Sequence, residues 1–120
     1  MKYSIPEKRE LTKYEIEFLT YLCEKEKKEW LTQIKGLKVI ARCGCGICPT
    51  ILLGNSINLE VQSNKKLWID YYAEDDNGNP IGISIFGTEE MPTELEFFSL
   101  DGNADVKKIP KIETLKSNGN

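Results

Sequence analysis

A chain of 120 residues with 40% hydrophobic and 29% charged side chains is long enough for one apolar core and too short for two. It contains no histidine, which excludes Ser–His and Cys–His nucleophilic pairs, the usual general base near neutral pH, and mixed Cys/His zinc sites. The net charge of −3 is unevenly spread: residues 1–50 carry +3, residues 51–105 carry −9 (two Lys against eleven Asp/Glu), and residues 106–120 return to +3. No apolar run approaches the ~18–20 residues that span a bilayer. The first ten residues, MKYSIPEKRE, lack the apolar h-region of a secretory signal. The expectation is a cytoplasmic chain with no membrane role, in which four cysteines stay reduced and do not imply two disulfides. With no paired-carboxylate motif, phosphate loop or dinucleotide fingerprint, a non-enzyme acting without a cofactor is the expected class.

In chain order, ELTKYEIEFLTYLCEKEKKEWLTQIKG reads as helical. Thr12 and Glu15 have capping-box spacing, and Leu11 and Ile16 occupy the two places of a hydrophobic staple. Tyr14, Phe18, Leu19 and Leu22 then fall on one helical face. The charged stretch EKEKKE reads as a bend, after which Trp30, Leu31 and Ile34 begin a second apolar face that Gly36 closes. Two helices are expected, over 13–24 and 27–35. From Leu37 the period changes to two. Strands are expected in LKVIARC, PTILLG, INLEVQ, LWIDYYAE, IGISIF and TELEFFSL, with DDNGNP as a turn in which Asn77-Gly78 accepts positive φ. Residues 115–120 read as a disordered tail. Helices followed by hairpin-spaced strands predict a single α+β domain over 1–120. Two N-terminal helices would pack on one face of an antiparallel sheet of about five to six strands.

The segment ARCGCGICPT holds Cys43, Cys45 and Cys48. A structural zinc site needs four ligands, and without histidine the fourth would be Cys23 or a carboxylate. Cys23, however, lies beside the apolar stripe of the first helix, where a small buried side chain belongs. A redox pair at Cys45 and Cys48 would be followed by a helix, whereas PTILLGN is short and β-branched. The reading that fits best is a glycine-assisted hairpin or bulge carrying small thiols. No metal is therefore expected, and a metal or thiol-redox site at Cys43, Cys45 and Cys48 is the alternative.

The order of RELTKYEIEFLTYL, WLTQIKGLKVIARCGCGICPT and PTELEFFSLDG resembles a family of small bacterial cytoplasmic proteins. In that family a helical R-x-L-T-x-x-E start leads to a strand running into C-G-C-G-C-P-[ST], and an L-E-[FIY]-x-S-x-D-G strand follows late. The resemblance covers roughly residues 9–110. Here Ile47 stands between Gly46 and Cys48, which lengthens the turn. Such proteins look like the immunity partners of toxin–immunity systems, including contact-dependent growth inhibition. The resemblance implies a non-enzymatic protein that binds one cognate toxin domain, a nuclease by expectation, and occludes its active site. It brings no catalytic residues.

An acidic inhibitor surface would compete for the basic groups with which a nuclease holds phosphates. Trp68, Asp70, Tyr72 and Glu74 alternate onto one strand face, with Asp75, Asp76, Glu89, Glu90, Glu94 and Glu96 nearby in sequence. Aromatic anchors among charges suit a tight interface, so these ten residues are the expected partner-binding set. In the competing assignment Trp68 and Tyr72 pack beneath the helices. Direct nucleic-acid binding is not expected, because the basic residues cluster at the two ends and in a charge-mixed helix.

Overall fold

The computed structural model describes residues 4–45, 47–55, 65–102 and 105–117. Its elements are β1 (Ser4–Glu10), α1 (Lys13–Glu26), a 3₁₀ segment (Lys28–Gly36), β2 (Lys38–Cys43), β3 (Ile51–Gly54), β4 (Lys66–Glu74), β5 (Pro80–Gly87), β6 (Pro92–Ser99), a 3₁₀ turn (Ile112–Thr114) and β7 (Lys116–Ser117). Among the described residues the fold is α+β, with a seven-stranded sheet in the order β1-β2-β3-β6-β5-β4-β7 and every pairing antiparallel. Seven strands correct the expected five to six. A strand also precedes α1, and the second helix is of the 3₁₀ type. The strand expected over 57–62 lies outside the described residues. No helix among them is long and apolar enough to cross a membrane.

At the start of α1 the expected capping box forms, whereas Ile16, the expected staple partner of buried Leu11, is 40% exposed. Glu15 N–H donates to Thr12 Oγ1 at 3.1 Å, and Thr12 N–H donates to Glu15 Oε1 at 2.8 Å, completing the capping box. Glu15 is nevertheless buried, because Arg9 of β1 reaches it with two parallel N–H donors, each at 2.9 Å. The Arg9 Nε–H goes to Glu7 at 3.0 Å, and Glu7 in turn pairs with Arg42 of β2 at 3.0 Å. The charged N-terminus thus becomes an edge strand because its charges are consumed in tying β1 to α1 and β2.

Alternation decides the core. Ile69, Tyr71 and Ala73 of β4, Ile83 and Ile85 of β5, and Leu95 and Phe97 of β6 face Phe18, Leu19, Leu22 and Cys23 of α1, with Trp30 and Ile34 of the 3₁₀ segment. Tyr71 donates from its hydroxyl to the Glu26 carboxylate at 2.7 Å, so its polar tip is satisfied where α1 ends. At the other end, the expected tail is partly built into the sheet. Lys116 and Ser117 pair with Tyr72 and Tyr71 of β4. Tyr14 accepts from Ile112 N–H and donates to the Pro110 carbonyl, which brings this segment onto α1.

The sheet consists of two meanders, β1-β2-β3 and β4-β5-β6, joined where β3 meets β6. That ladder is short, with Ile51 opposite Leu95 and Leu52 opposite Glu94. Buried Thr50 extends it with a side chain: its hydroxyl accepts from Phe97 N–H at 2.9 Å and donates to the Phe97 carbonyl at 3.3 Å.

Thr50→Val keeps the shape and leaves the buried Phe97 N–H without its acceptor, so chemical denaturation should show a loss of about 1–3 kcal/mol. Glu15→Gln keeps the capping geometry and removes the charge that Arg9 faces. Burial raises the Glu15 pKa, but Arg9 and the Thr12 N–H outweigh it and the net direction is down. A depressed carboxylate pKa contributes stability above its unfolded value of about 4.3 and loses it as pH falls through the folded value. The variant should therefore be less stable at pH 7 by about 1–2 kcal/mol, and the gap to the parent should close in acid. Denaturation curves at several pH values check this.

Candidate functional site

Two features outside the core carry chemistry: the sheet face turned away from α1, and the loop between β2 and β3.

The expected ten-residue binding set does not stay together. A bulge between Leu67 and Ile69 inserts one residue into β4 and shifts the alternation there. Trp68 consequently turns to the helix side, 6.0 Å from Trp30 between ring centroids and nearly edge-on. Its indole N–H donates to the Gly87 carbonyl at 3.0 Å. The ammonium groups of Lys27 and Lys66 lie 4.0 and 4.3 Å from its ring centroid. Trp68 does not share a face with Asp70, Tyr72 and Glu74. It packs beside the helical layer, as the competing assignment had it, while Tyr72 does not. Leu67 takes the outward place and is 47% exposed.

The acidic residues divide among three places. Glu74, Asp75 and Asp76 sit at the β4–β5 turn. There Asp75 accepts from the backbone N–H groups of Asn77 and Asn79, both at 2.9 Å, and Asp76 pairs with Lys108 at 2.6 Å. Both aspartates have lowered pKa values, Asp75 through its bonds to Asn79 and Asp76 through Lys108. Glu89 and Glu90 are exposed in the β5–β6 turn, at the opposite end of β5 and about 25 Å away by strand rise. Asp70, Glu94 and Glu96 lie between, on the face turned away from α1.

That middle region is ordered in rows across β4, β5 and β6. Tyr72, Gly82 and Phe98 form one row, Asp70, Ser84 and Glu96 the next, and Leu67, Phe86 and Glu94 the third. Gly82 is required in the first row. A Cβ there would lie 2.3 Å from Phe98 Cζ, so the glycine lets the Phe98 ring lie across the sheet. In the third row Lys65 pairs with Glu94 and places its ammonium 5.5 Å from the Phe86 ring centroid. Asp70 and Glu96, one strand to either side of buried Ser84, are each engaged within the chain. Ser84, Phe86 and Phe98 were absent from the expected set. Their signal was the alternation of IGISIF and TELEFFSL, which sets them opposite the isoleucines and Phe97.

A larger cleft of about 940 Å³ runs between the β4–β5 turn and residues 105–114, with Asp76 and Lys108 among its lining residues. It combines acidic and basic rims and an apolar floor of Ile81, Val106 and Ile109.

In the β2–β3 loop the three cysteines converge: the Sγ atoms of Cys43, Cys45 and Cys48 all lie within 4.8 Å of one another. The loop is closed by Cys43 N–H donating to the Thr50 carbonyl at 3.2 Å. Its backbone then wraps the sulfurs. Cys45 N–H points to Cys43 Sγ at 3.5 Å, and Cys45 Sγ accepts from Cys48 N–H at 3.2 Å and Ile47 N–H at 3.5 Å. Those two N–H groups, Cys48 first, lower the Cys45 thiol to about 6, with the neighbouring thiols helping. Burial pushes Cys43 up to about 11 and Cys23, in the core, to about 12. The loop therefore holds one exposed thiolate beside two further sulfurs, while Cys23 takes no part.

Iodoacetamide should modify Cys45 first, with a rate that rises through pH of about 6, whereas Cys23 should react only on unfolding. Mass spectrometry of partly alkylated protein reads this. Equal rates at the two sites, or a Cys45 midpoint near the ordinary thiol value of about 8.5, would contradict it.

No protein-family model, no curated protein and no solved structure matches the chain, so what it does has to be read from its own residues and geometry.

Proposed function

We propose that the chain is a cytoplasmic immunity-type protein that binds a cognate bacterial toxin domain, a nuclease, and neutralises it by stoichiometric occlusion rather than by catalysis. One observation carries the reading: a carboxylate–hydroxyl–carboxylate row, Asp70, Ser84 and Glu96, flanked by the aromatic row of Tyr72 and Phe98 and by Phe86. An interface of this kind offers flat aromatic area for desolvated contact and fixed acidic groups for the cations of a phosphate-binding protein. The −9 charge of residues 51–105 supplies the longer-range field that attracts such a partner. The acidic turns at the two ends of β5 lie too far apart to meet the same central contact, and they act as steering charges. The expected resemblance to immunity proteins supports the reading only through the R-x-L-T start and the late L-E-F-x-S-x-D-G strand, since Ile47 breaks the cysteine motif. A second reading, metal or thiol chemistry at Cys43, Cys45 and Cys48, is favoured by the convergence of their sulfurs.

The test is co-purification with the product of the adjacent gene, followed by binding kinetics. Tyr72→Ala combined with Glu96→Lys should raise the off-rate and weaken the complex at least ~30-fold, since it removes a central aromatic and reverses a central charge. Asp75→Lys with Asp76→Lys should instead slow the on-rate and flatten its salt dependence, as rim charges do. If the central double variant binds as the parent does while remaining folded, this face is not the interface. Inhibition of the toxin by far less than one equivalent would rule out the occlusion mechanism.

A further inference from the structure

We propose that Cys43, Cys45 and Cys48 form a three-thiolate site for one Zn²⁺ ion, with the fourth coordination place left to an exchangeable ligand. Sequence spacing argues against a metal because it finds three ligands where a structural site needs four. The tertiary arrangement changes the question. Zinc–sulfur bonds of about 2.3 Å put thiolates about 3.8 Å apart around a tetrahedral ion, and the three sulfurs already lie within 4.8 Å of one another. A contraction of less than about 1 Å per pair, within reach of small χ1 rotations, brings all three into bonding range.

Three further observations favour an ion over a chance gathering of small side chains. Backbone N–H groups of Cys45, Ile47 and Cys48 aim at sulfur, the arrangement that orients thiolate ligands and offsets their charge. The tripod is anchored at its root, where buried Cys43 ends β2 and its N–H is bonded to Thr50 across the loop. Its open side is accessible: Cys45 is exposed and Cys48 half-buried, and Cys48 borders a cleft of about 210 Å³ whose walls include Arg9 and Arg42. Both arginines are already paired with carboxylates of the same cleft, Arg9 with Glu15 and Glu7 and Arg42 with Glu7. The negative charge of a Zn²⁺ ion held by three thiolates is therefore offset by the loop's own N–H groups. A disulfide between any two of the cysteines would leave the third sulfur unused, whereas one ion uses all three.

The group contains three cysteines and no carboxylate among the described residues. Three protein ligands and an exchangeable fourth place is the pattern of reactive zinc sites, while closed structural sites supply four. The ion would thus bind an incoming thiolate or a water at the protein surface beside exposed Ile47. On binding, each sulfur that still carries a proton releases it to solvent, and all three form sulfur–metal bonds with no change of oxidation state.

The reduced full-length chain, stripped of metal, is titrated with Co²⁺ under anaerobic conditions. Thiolate-to-cobalt charge-transfer absorption should saturate at one equivalent per chain, and one equivalent of Zn²⁺ should displace it. Added small-molecule thiol should shift the spectrum, because the fourth place exchanges. Bound Zn²⁺ should slow iodoacetamide modification of Cys45 at least tenfold. Cys45→Ser, at an exposed position that leaves the fold intact, should abolish the band, and Cys23→Ser should leave it unchanged. The proposal is overturned by absence of the band, by unchanged binding in Cys45→Ser, or by saturation at half an equivalent, which would mean an ion shared between two copies. Each outcome is independent of toxin binding, which the Tyr72 and Glu96 variants test separately.

Discussion

The seam between β3 and β6 is the constraint on which the architecture depends. Each meander forms from neighbours in sequence, but the two are joined by a ladder of only two residue pairs, lengthened by the hydroxyl of Thr50. Thr50 also closes the cysteine loop through its carbonyl. A single buried residue therefore sets both the continuity of the sheet and the position of the loop. Because the hydroxyl donates to and accepts from the same residue of β6, it imitates a backbone ladder pair where the strand itself has turned away.

Once the sheet is continuous, one face must be covered. α1 and the 3₁₀ segment cover it with Phe18, Leu22, Trp30 and Ile34, and this choice determines the character of the other face. Ile83 and Ile85 of β5, pointing to the helices, force Ser84 and Phe86 to point away, and Leu95 and Phe97 of β6 do the same for Glu96. The polar and aromatic rows are thus a consequence of the same alternation that builds the core. The bulge in β4 is the exception. It lets Trp68 join Trp30 at the edge of the core, at the expense of exposing Leu67.

Charge is used in two different ways. In the N-terminal third it is structural: Arg9, Glu15, Glu7 and Arg42 link β1, α1 and β2 in one chain of contacts. The same contacts form a wall of the small cleft that Cys48 borders. In the acidic middle of the chain the charges are more dispersed, and some are neutralised locally, Glu94 by Lys65 and Asp76 by Lys108. The −9 of residues 51–105 already counts Lys65, but not Lys108, which returns from outside that stretch to Asp76 and lowers the field below the sequence count.

The sequence by itself determined the elements whose signals are local. The capping box at Thr12 and Glu15, the apolar stripe of α1, the Asn77-Gly78 turn and the alternating strands 67–74, 81–86 and 93–100 all formed close to where periodicity and turn chemistry placed them. Local signals suffice there because each depends on neighbours three or four residues away or on a period of two. Tertiary structure alone decided the rest. MKYSIPEKRE carries no strand periodicity, and β1 exists because Arg9 and Glu7 find partners on α1 and β2. The pairing of Lys116 and Ser117 depends on Tyr14 holding residues 110–112, a contact across almost the whole chain. A one-residue bulge moved Trp68 to the other face, which alternation has no means to register. Spacing counted three cysteines and found a ligand missing, but the convergence of their sulfurs depends on Thr50 closing the loop against β6.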